Sequence, residues 1–273
     1  MRSKELYPPV FSRHALAYQC RLEDIMSRGE SAGRTRIMVL TEAQPGMRVL
    51  DLACGPGTLS RRLAAMVSPG GEVLGVDLAP GMIELARAMN IPATRFELMD
   101  IEQLALPDAS FDAAVCGHGL QFAPDLLSAL KEARRVLRPG AALAASVPVS
   151  PREGGVWRLL DSVVDRWLPA APKAVDQGPT RATVQDPVAF RRAALEAGFA
   201  TARVELIEED VHWESAQHMV SNFMGWVDCA TRMEGVDDVR RQTLMDDAVE
   251  TLKREHPGPI ETKGRIHVLF AQA

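Results

Sequence analysis

The chain has 273 residues, of which 47% are hydrophobic and 25% are charged. Such a composition can bury a sizeable core and excludes an intrinsically disordered chain. The formal net charge of −5 argues against nucleic acid as a bulk electrostatic partner. The four cysteines are far apart and show no metal-ligand spacing, which predicts reduced thiols, no metal site and a cytoplasmic location. No apolar run has the length of a membrane span or a signal peptide.

In chain order, residues 1–43 are predicted to be helical, and the middle of the chain alternates short apolar runs with amphipathic stretches. The pattern predicts strands at 47–52, 72–77, 95–99, 111–116 and 141–147, with helices at 58–67, 80–89 and 124–137. A helix at 187–197 and strands at 202–207 and 265–271 follow. Strands that alternate with helices predict an α/β fold, a doubly wound and mostly parallel sheet with right-handed crossovers.

Two stretches interrupt this alternation and are predicted to cover the sheet. Residues 148–186 are expected to form a loop and a helix, and 213–257 a helical segment rich in Trp, Met and Phe followed by a charged helix. We therefore expect one domain over 1–273. Residues 1–43 would form an N-terminal helical lid, hinged at Pro8-Pro9, and 148–186 and 213–257 would form a helical cap.

The most informative segment is V-L-D-L-A-C-G-P-G-T-L-S at 49–60, where an acid ends a strand and a Gly-x-Gly turn enters a helix. Glycines allow a tight turn and the close approach of a ligand. Asp77, twenty residues beyond Gly57, ends the second strand, where a carboxylate can accept both hydroxyls of a ribose. Asp100 follows the third strand, where a carboxylate could bind the amino group of an adenine. The carboxyl ends of parallel strands meet in one crevice.

Together with V-L-G-V-D-L-A-P-G-M-I-E-L-A-R-A at 73–88 and L-P-D-A-S-F-D-A-A-V-C-G-H-G-L-Q-F-A-P-D at 106–125, this segment resembles the successive motifs of class I S-adenosylmethionine-dependent methyltransferases. The nearest type is the ubiquinone/menaquinone-biosynthesis group of small-molecule enzymes. The resemblance covers about 45–150. It implies a Rossmann-like fold with seven strands in the order 3-2-1-4-5-7-6, the last one antiparallel. It also implies S-adenosylmethionine as cofactor and S-adenosylhomocysteine as product.

The resemblance assigns roles to single residues. Asp51 would order the glycine turn and face the methionine amino group, Asp77 would bind the ribose, and Tyr18 in the N-terminal helices would close over the methionine carboxylate. The full set implied to bind the cofactor is Tyr18, Asp51, Ala53, Gly55, Gly57, Asp77, Leu78, Asp100, Ile101, Gly117 and Gln121.

The catalytic step is less well marked in the sequence. A sulfonium is an activated leaving group, so methyl transfer needs alignment and water exclusion more than a catalytic triad. His118, just after the fourth strand, is the best candidate for a general base, and a purely structural role is at least as plausible. The apolar cap predicts a largely hydrophobic small-molecule substrate.

Two other functions stay open at this point. The same cofactor site could serve a different reaction, such as a cyclisation in natural-product assembly. A non-catalytic module or an NAD-dependent oxidoreductase is the second alternative. Two residues argue against the oxidoreductase. Ser60 occupies the place of the third glycine of a dinucleotide fingerprint, and Asp51 lies four residues before the glycine turn, where that fingerprint normally has an apolar strand residue.

Overall fold

The computed structural model describes residues 1–149 and 155–273. The part of the predicted cap at 150–154 lies outside the described residues. The helices are α1 (Ser3–Arg13), α2 (Ala15–Ser27), α3 (Ala32–Thr41), α4 (Thr58–Val67), α5 (Pro80–Ala88), α6 (Leu126–Val136), α7 (Gly155–Trp167), α8 (Gly178–Gln185), α9 (Pro187–Glu196), α10 (Ala216–Met224), α11 (Val227–Arg232) and α12 (Asp238–Glu255). The strands are β1 (Arg48–Leu52), β2 (Glu72–Asp77), β3 (Thr94–Leu98), β4 (Phe111–Gly117), β5 (Leu137–Pro148), β6 (Thr201–Trp213) and β7 (Ile260–Gln272). A short 3₁₀ turn, Leu120–Phe122, follows β4.

The seven strands form one sheet in the order β3-β2-β1-β4-β5-β7-β6. The pairings among β1 to β5 are parallel, and β7 runs antiparallel to both β5 and β6. This arrangement confirms the predicted doubly wound sheet, its strand order and its antiparallel last strand.

Alternation along β1 divides the core into two layers. Leu50 and Leu52 pack with α6 and α9 on one face, whereas Val49 packs with α3 and α4 on the other. Because side chains alternate along a strand, Asp51 points to the same face as Val49, towards α4. This geometry decides what Asp51 can reach.

The structure corrects two expectations about the outer elements. Strands β6 and β7 are each thirteen residues long and pair from Thr201↔Gln272 to Trp213↔Ile260, well beyond the predicted 202–207 and 265–271. The polar run at 208–210 concealed this extension, since one face of an edge strand remains in solvent. The predicted hinge at Pro8-Pro9 is wrong, because both prolines lie inside α1. The helical segment is interrupted at His14 instead, between α1 and α2.

Helices α7, α10 and α12, which lie in the predicted cap, share an apolar cluster in which they bury their inner faces against one another. Its members include Trp157, Leu160, Met219, Phe223 and Leu244. Among the described residues, no helix is long and apolar enough to cross a bilayer.

Candidate active site

A cavity of about 1130 Å³ opens at the carboxyl ends of β1, β2 and β4. On the sheet side it is lined by residues of the loops that follow these strands and β3. On the opposite side it is lined by α1 to α3, α7, the outer ends of β6 and β7, and the α10–α11 region. The predicted site residues on its wall are Tyr18, Ala53, Gly55, Asp77, Leu78, Asp100, Ile101, Gly117, His118 and Gln121. Asp51 and Gly57 are not on the wall.

The two glycines of the turn have different surroundings. Gly55, at φ +55°, faces the cavity, and a Cβ placed there would lie 3.9 Å from Cε1 of Tyr18. Gly57, at φ +80°, faces inward, where a Cβ would lie 2.8 Å from the ring of Phe96. Gly55 therefore leaves room for a ligand, whereas Gly57 is required by the left-handed turn and by packing.

Asp51 is buried and lies behind the turn. Its Oδ2 accepts a hydrogen bond of 2.6 Å from Oγ of Ser60, and its Oδ1 has no partner among the described residues. Burial raises the pKa of Asp51 to about 7, although the bond from Ser60 acts in the opposite direction. Ser60, in the place of a third glycine, thus ties the acid to the first turn of α4.

Asp77 connects the glycine turn to the second strand. Its Oδ2 accepts from the amide of Gly55 at 2.9 Å, and its Oδ1 accepts from the amide of Ala79 at 2.9 Å. Burial raises the pKa of Asp77 above its usual value despite these donors. The carboxylate lies on the cavity wall, so remaining lone pairs can accept from a ligand hydroxyl.

Asp100 is paired with the N-terminal helix. Its Oδ2 lies 2.6 Å from Nζ of Lys4, which also contacts Glu102 at 2.5 Å. Its Oδ1 accepts from the amide of Glu102 at 2.9 Å. A bound adenine amino group would share this carboxylate with Lys4, so the role predicted for Asp100 stays a prediction. The ion pairs hold α1 over this end of the cavity.

His118 lies in the loop after β4 with a positive φ of 60°. Its amide donates to the Ser146 oxygen at 2.9 Å, and Nε2 of Gln121 donates to the His118 oxygen at 2.7 Å. Burial and the neighbouring Arg34 lower the pKa of His118 well below its usual value. The imidazole is therefore neutral at neutral pH. Nε2 of His118 and Oε1 of Gln121 have no hydrogen-bond partner among the described residues.

Two arginines of the site escaped the sequence reasoning. Arg34 is 8% exposed, and its Nη2 donates to Oη of Tyr18 at 3.3 Å. A Cβ on Gly117 would lie 3.7 Å from Nε of Arg34, so this side chain passes beside the loop after β4. Arg21 lies with its Cζ 5.4 Å from the centre of the Tyr18 ring and donates to the main-chain oxygen of Gly225.

Helical spacing could have identified both arginines. Arg34 stands three residues before Ile37 and seven before Thr41, which are buried members of α3. Tyr18, Arg21 and Ile25 are spaced by three and four and all line the cavity. An arginine on the buried face of a helix is a signal for an anion site.

Four aromatic side chains line the cavity at its cap end. Trp157 lies 5.0 Å from Trp226 and 6.0 Å from Trp213 between ring centres, and Phe223 lies 5.3 Å from Trp226. We call these four residues the aromatic group. Nε1 of Trp213 donates to Thr262 and Nε1 of Trp226 to Asn222, so both indoles have fixed positions. The group belongs both to the core of the cap and to the cavity wall, whereas Met219 and Met224 belong only to the core.

Burial disfavours the nucleophilic thiolate form of Cys54 and Cys116. All four cysteines are free thiols, and burial raises the pKa of Cys116 to about 12 and that of Cys54 well above its usual value. Over residues 1–149 and 155–273, no group of three or more His, Cys, Asp or Glu side chains could hold a metal ion.

Comparison with known proteins assigns this site to a class. Residues 49–140 match the family model of a methyltransferase domain. The chain is 38% identical over 138 residues to a 2-phytyl-1,4-naphtoquinone methyltransferase of Synechococcus elongatus, over 47% of this chain and 58% of that protein. It is 35% identical over 155 residues to a demethylmenaquinone methyltransferase of Staphylococcus aureus, over 55% of this chain and 64% of that protein. These alignments span less than two thirds of either relative.

Solved structures share the fold at lower identity. A candidate type II methyltransferase from Anaeromyxobacter dehalogenans has a TM-score of 0.59 and 22% identity, over 88% of this chain and 95% of that one. The [4+2]-cyclase SpnF has a TM-score of 0.52 and 21% identity, over 88% of this chain and 80% of that one. Likeness at this level concerns the fold alone.

Residues 49–140 are therefore a methyltransferase domain of the class I, S-adenosylmethionine-dependent type, an enzyme class whose sheet order this chain reproduces. Over the aligned residues, this chain shares more than a third of its residues with the two named quinone-type methyltransferases.

Proposed function

We propose that this protein transfers a methyl group from S-adenosylmethionine to a ring-bearing, largely hydrophobic small molecule. The observation that carries the proposal is the single cavity that joins Gly55 and Asp77 to the aromatic group. The names of the two relatives support a quinone-like acceptor. A cytoplasmic location, a lid formed by 1–43 and a cap formed by 148–186 and 213–257 belong to the same proposal.

The residues on the cavity wall, and Asp51 directly behind it, fit the cofactor. Asp51 has a buried oxygen without a partner behind the turn, which suits a methionine amino group directly or through water. Arg34 supplies a buried guanidinium beside Tyr18, which suits the methionine carboxylate. Asp77 offers carboxylate oxygens to a ribose, and Leu78 and Ile101 offer apolar faces to an adenine. When bound, S-adenosylmethionine supplies a methyl group on a sulfonium.

The side chains of the cavity then align the acceptor with the methyl group and exclude water. The aromatic group holds an acceptor ring by stacking and excludes water from the reacting atoms. Alignment of this kind can lower a barrier by roughly 7–11 kcal/mol. His118 is the proposed proton acceptor where the reaction releases a proton. Its lowered pKa keeps the imidazole neutral and able to accept, and also makes it a weak base.

Product mass tests the reaction. Incubation with S-adenosylmethionine and a reduced demethylmenaquinone should yield S-adenosylhomocysteine and a product heavier by one methyl group. A cyclisation, which the shared fold of SpnF leaves as the second candidate, would leave the substrate mass unchanged. Replacing His118 by Ala should lower turnover by roughly 10²–10⁴-fold with unchanged affinity for S-adenosylhomocysteine. Unchanged turnover would assign His118 a structural role.

Calorimetry tests the cofactor site separately. Arg34→Met should weaken S-adenosylhomocysteine binding by about 1.5–3 kcal/mol, since a charge-assisted hydrogen bond is lost. Arg36→Met is the matched control, because Arg36 pairs with Glu205 at 2.8 Å and does not line the cavity. Equal affinities in both variants would remove Arg34 from the site.

A further inference from the structure

Two guanidinium groups line the cavity beside Tyr18. Arg34 and Arg21 both flank Tyr18, the first through its hydroxyl at 3.3 Å and the second against its ring at 5.4 Å. The methionine part of the cofactor carries one carboxylate, which would pair with one of the two guanidinium groups. Over residues 1–149 and 155–273, neither arginine forms an ion pair with an acid.

The two arginines have different neighbours, which decides their roles. Arg34 passes beside Gly117, and its charge acts on Asp51 and His118, at the glycine-turn end. Arg21 instead reaches the cap, where it donates to the Gly225 oxygen next to Trp226. Arg21 therefore stands between the cofactor end and the aromatic group.

The surroundings of Arg21 favour an anionic ligand. Burial and the charge of Arg34 lower the pKa of Arg21, and no carboxylate contributes to its electrostatic environment. A partly buried guanidinium without a counterion is unfavourable, and its fork of donors matches a carboxylate. Only one bond to a main-chain oxygen uses that fork among the described residues.

We propose that the methyl acceptor is an aromatic acid, whose ring stacks within the aromatic group and whose carboxylate is bound by Arg21. This inference rests on the proposed function, a methyl transfer to a ring-bearing small molecule, and replaces the quinone-like acceptor considered there by a ring-bearing acid. Arg21 is then a specificity-determining residue, which separates this chain from enzymes whose acceptors are neutral quinones.

Binding of a matched pair of probes tests the proposal. The probes are 2-naphthoate and its neutral methyl ester, titrated into the protein by calorimetry with and without saturating S-adenosylhomocysteine. The wild type should bind the acid at least about tenfold more tightly than the ester, the lower limit for one charge-assisted contact. Arg21→Met should bring the two affinities together, both with and without saturating S-adenosylhomocysteine.

Two further variants keep the test decisive. Arg21→Gln removes the charge but keeps a polar side chain with N–H donors, so it should lose the acid preference even if Arg21→Met fails to fold. Arg192→Met, at an exposed position of α9 away from the cavity, should keep the full preference. A wild type that binds both probes equally, or neither, overturns the proposal, as does an acid preference that survives in Arg21→Gln. A wild type that does not bind S-adenosylhomocysteine would instead count against the proposed function. The two failures can be told apart, because the acid preference is also measured without S-adenosylhomocysteine.

Discussion

The two ends of the cavity are built in different ways. The cofactor end is formed by backbone turns at the ends of neighbouring parallel strands, with Gly55, Asp77 and Asp100 all within fifty residues of one another. The substrate end is formed by side chains from α2, α7, β6 and α10, which are far apart in the chain. The first end therefore depends on local geometry that tolerates few substitutions, whereas the second depends on packing that can change with the substrate.

The most severe test of this contrast is Gly57→Ala. The new Cβ would lie 2.8 Å from the ring of Phe96, at a backbone φ of +80°. We expect a loss of unfolding free energy of about 2–5 kcal/mol, from the left-handed conformation and the overpacking together. Gly140→Ala is the control, since Gly140 has φ +82° and no atom within 4 Å of an added Cβ. Urea unfolding measures both, and equal losses would mean that Phe96 contributes nothing.

Asp51 gives the second test, through pH. Its pKa of about 7 lies above the ordinary value of 3.8, so the folded protein favours the protonated form. The protonated side chain of Asp51 therefore contributes fully to the free energy of unfolding below about pH 4, and this contribution is lost as the pH rises towards 7. A bound amino group favours the carboxylate, so affinity for S-adenosylhomocysteine should rise by up to about tenfold per pH unit below 7 and level off above.

Asp51→Asn should abolish that pH dependence and make the ligand-free protein more stable at pH 8 than the wild type. Titration calorimetry at several pH values measures the first effect, and thermal unfolding measures the second. An unchanged slope in the variant would show that another group titrates.

The smallest expected effect concerns the N-terminal lid. Helix α1 lies directly on Gly81 of α5, where an added Cβ would be 2.7 Å from the Ser12 oxygen. Gly81→Ala should displace α1 and lower its local stability by about 1–3 kcal/mol, the usual cost of overpacking. Hydrogen exchange in residues 3–30 should then be faster in the variant than in the wild type. In the wild type, S-adenosylhomocysteine should increase the protection of these residues. Gly178→Ala, in open space, is the control. High and identical protection with and without ligand would mean that α1 and α2 are permanent core and not a lid.

The predictability of each part follows from the range of its interactions. Helix α4 and strand β2 have the predicted bounds, because hydrophobic periodicity and the flanking turns are local signals. Strand β6 is longer than predicted, since its polar outer half is stabilised by β7, which lies far along the chain. Arg34 and Arg36 look alike in the sequence, yet one contacts Tyr18 and the other Glu205. Helical spacing places Arg34 on the buried face of α3, but only the tertiary structure shows that it contacts Tyr18.

The long β6–β7 ladder determines how the enclosure can open. Its outer end carries Trp213, so part of the aromatic group is mounted on the central sheet by continuous pairing. We expect a wall supported in this way to keep its distance from β5 when the proposed N-terminal lid opens. The proposed acceptor compartment would then have fixed walls and one movable side. Long substituents of an acceptor are expected to leave through the side that α1 covers.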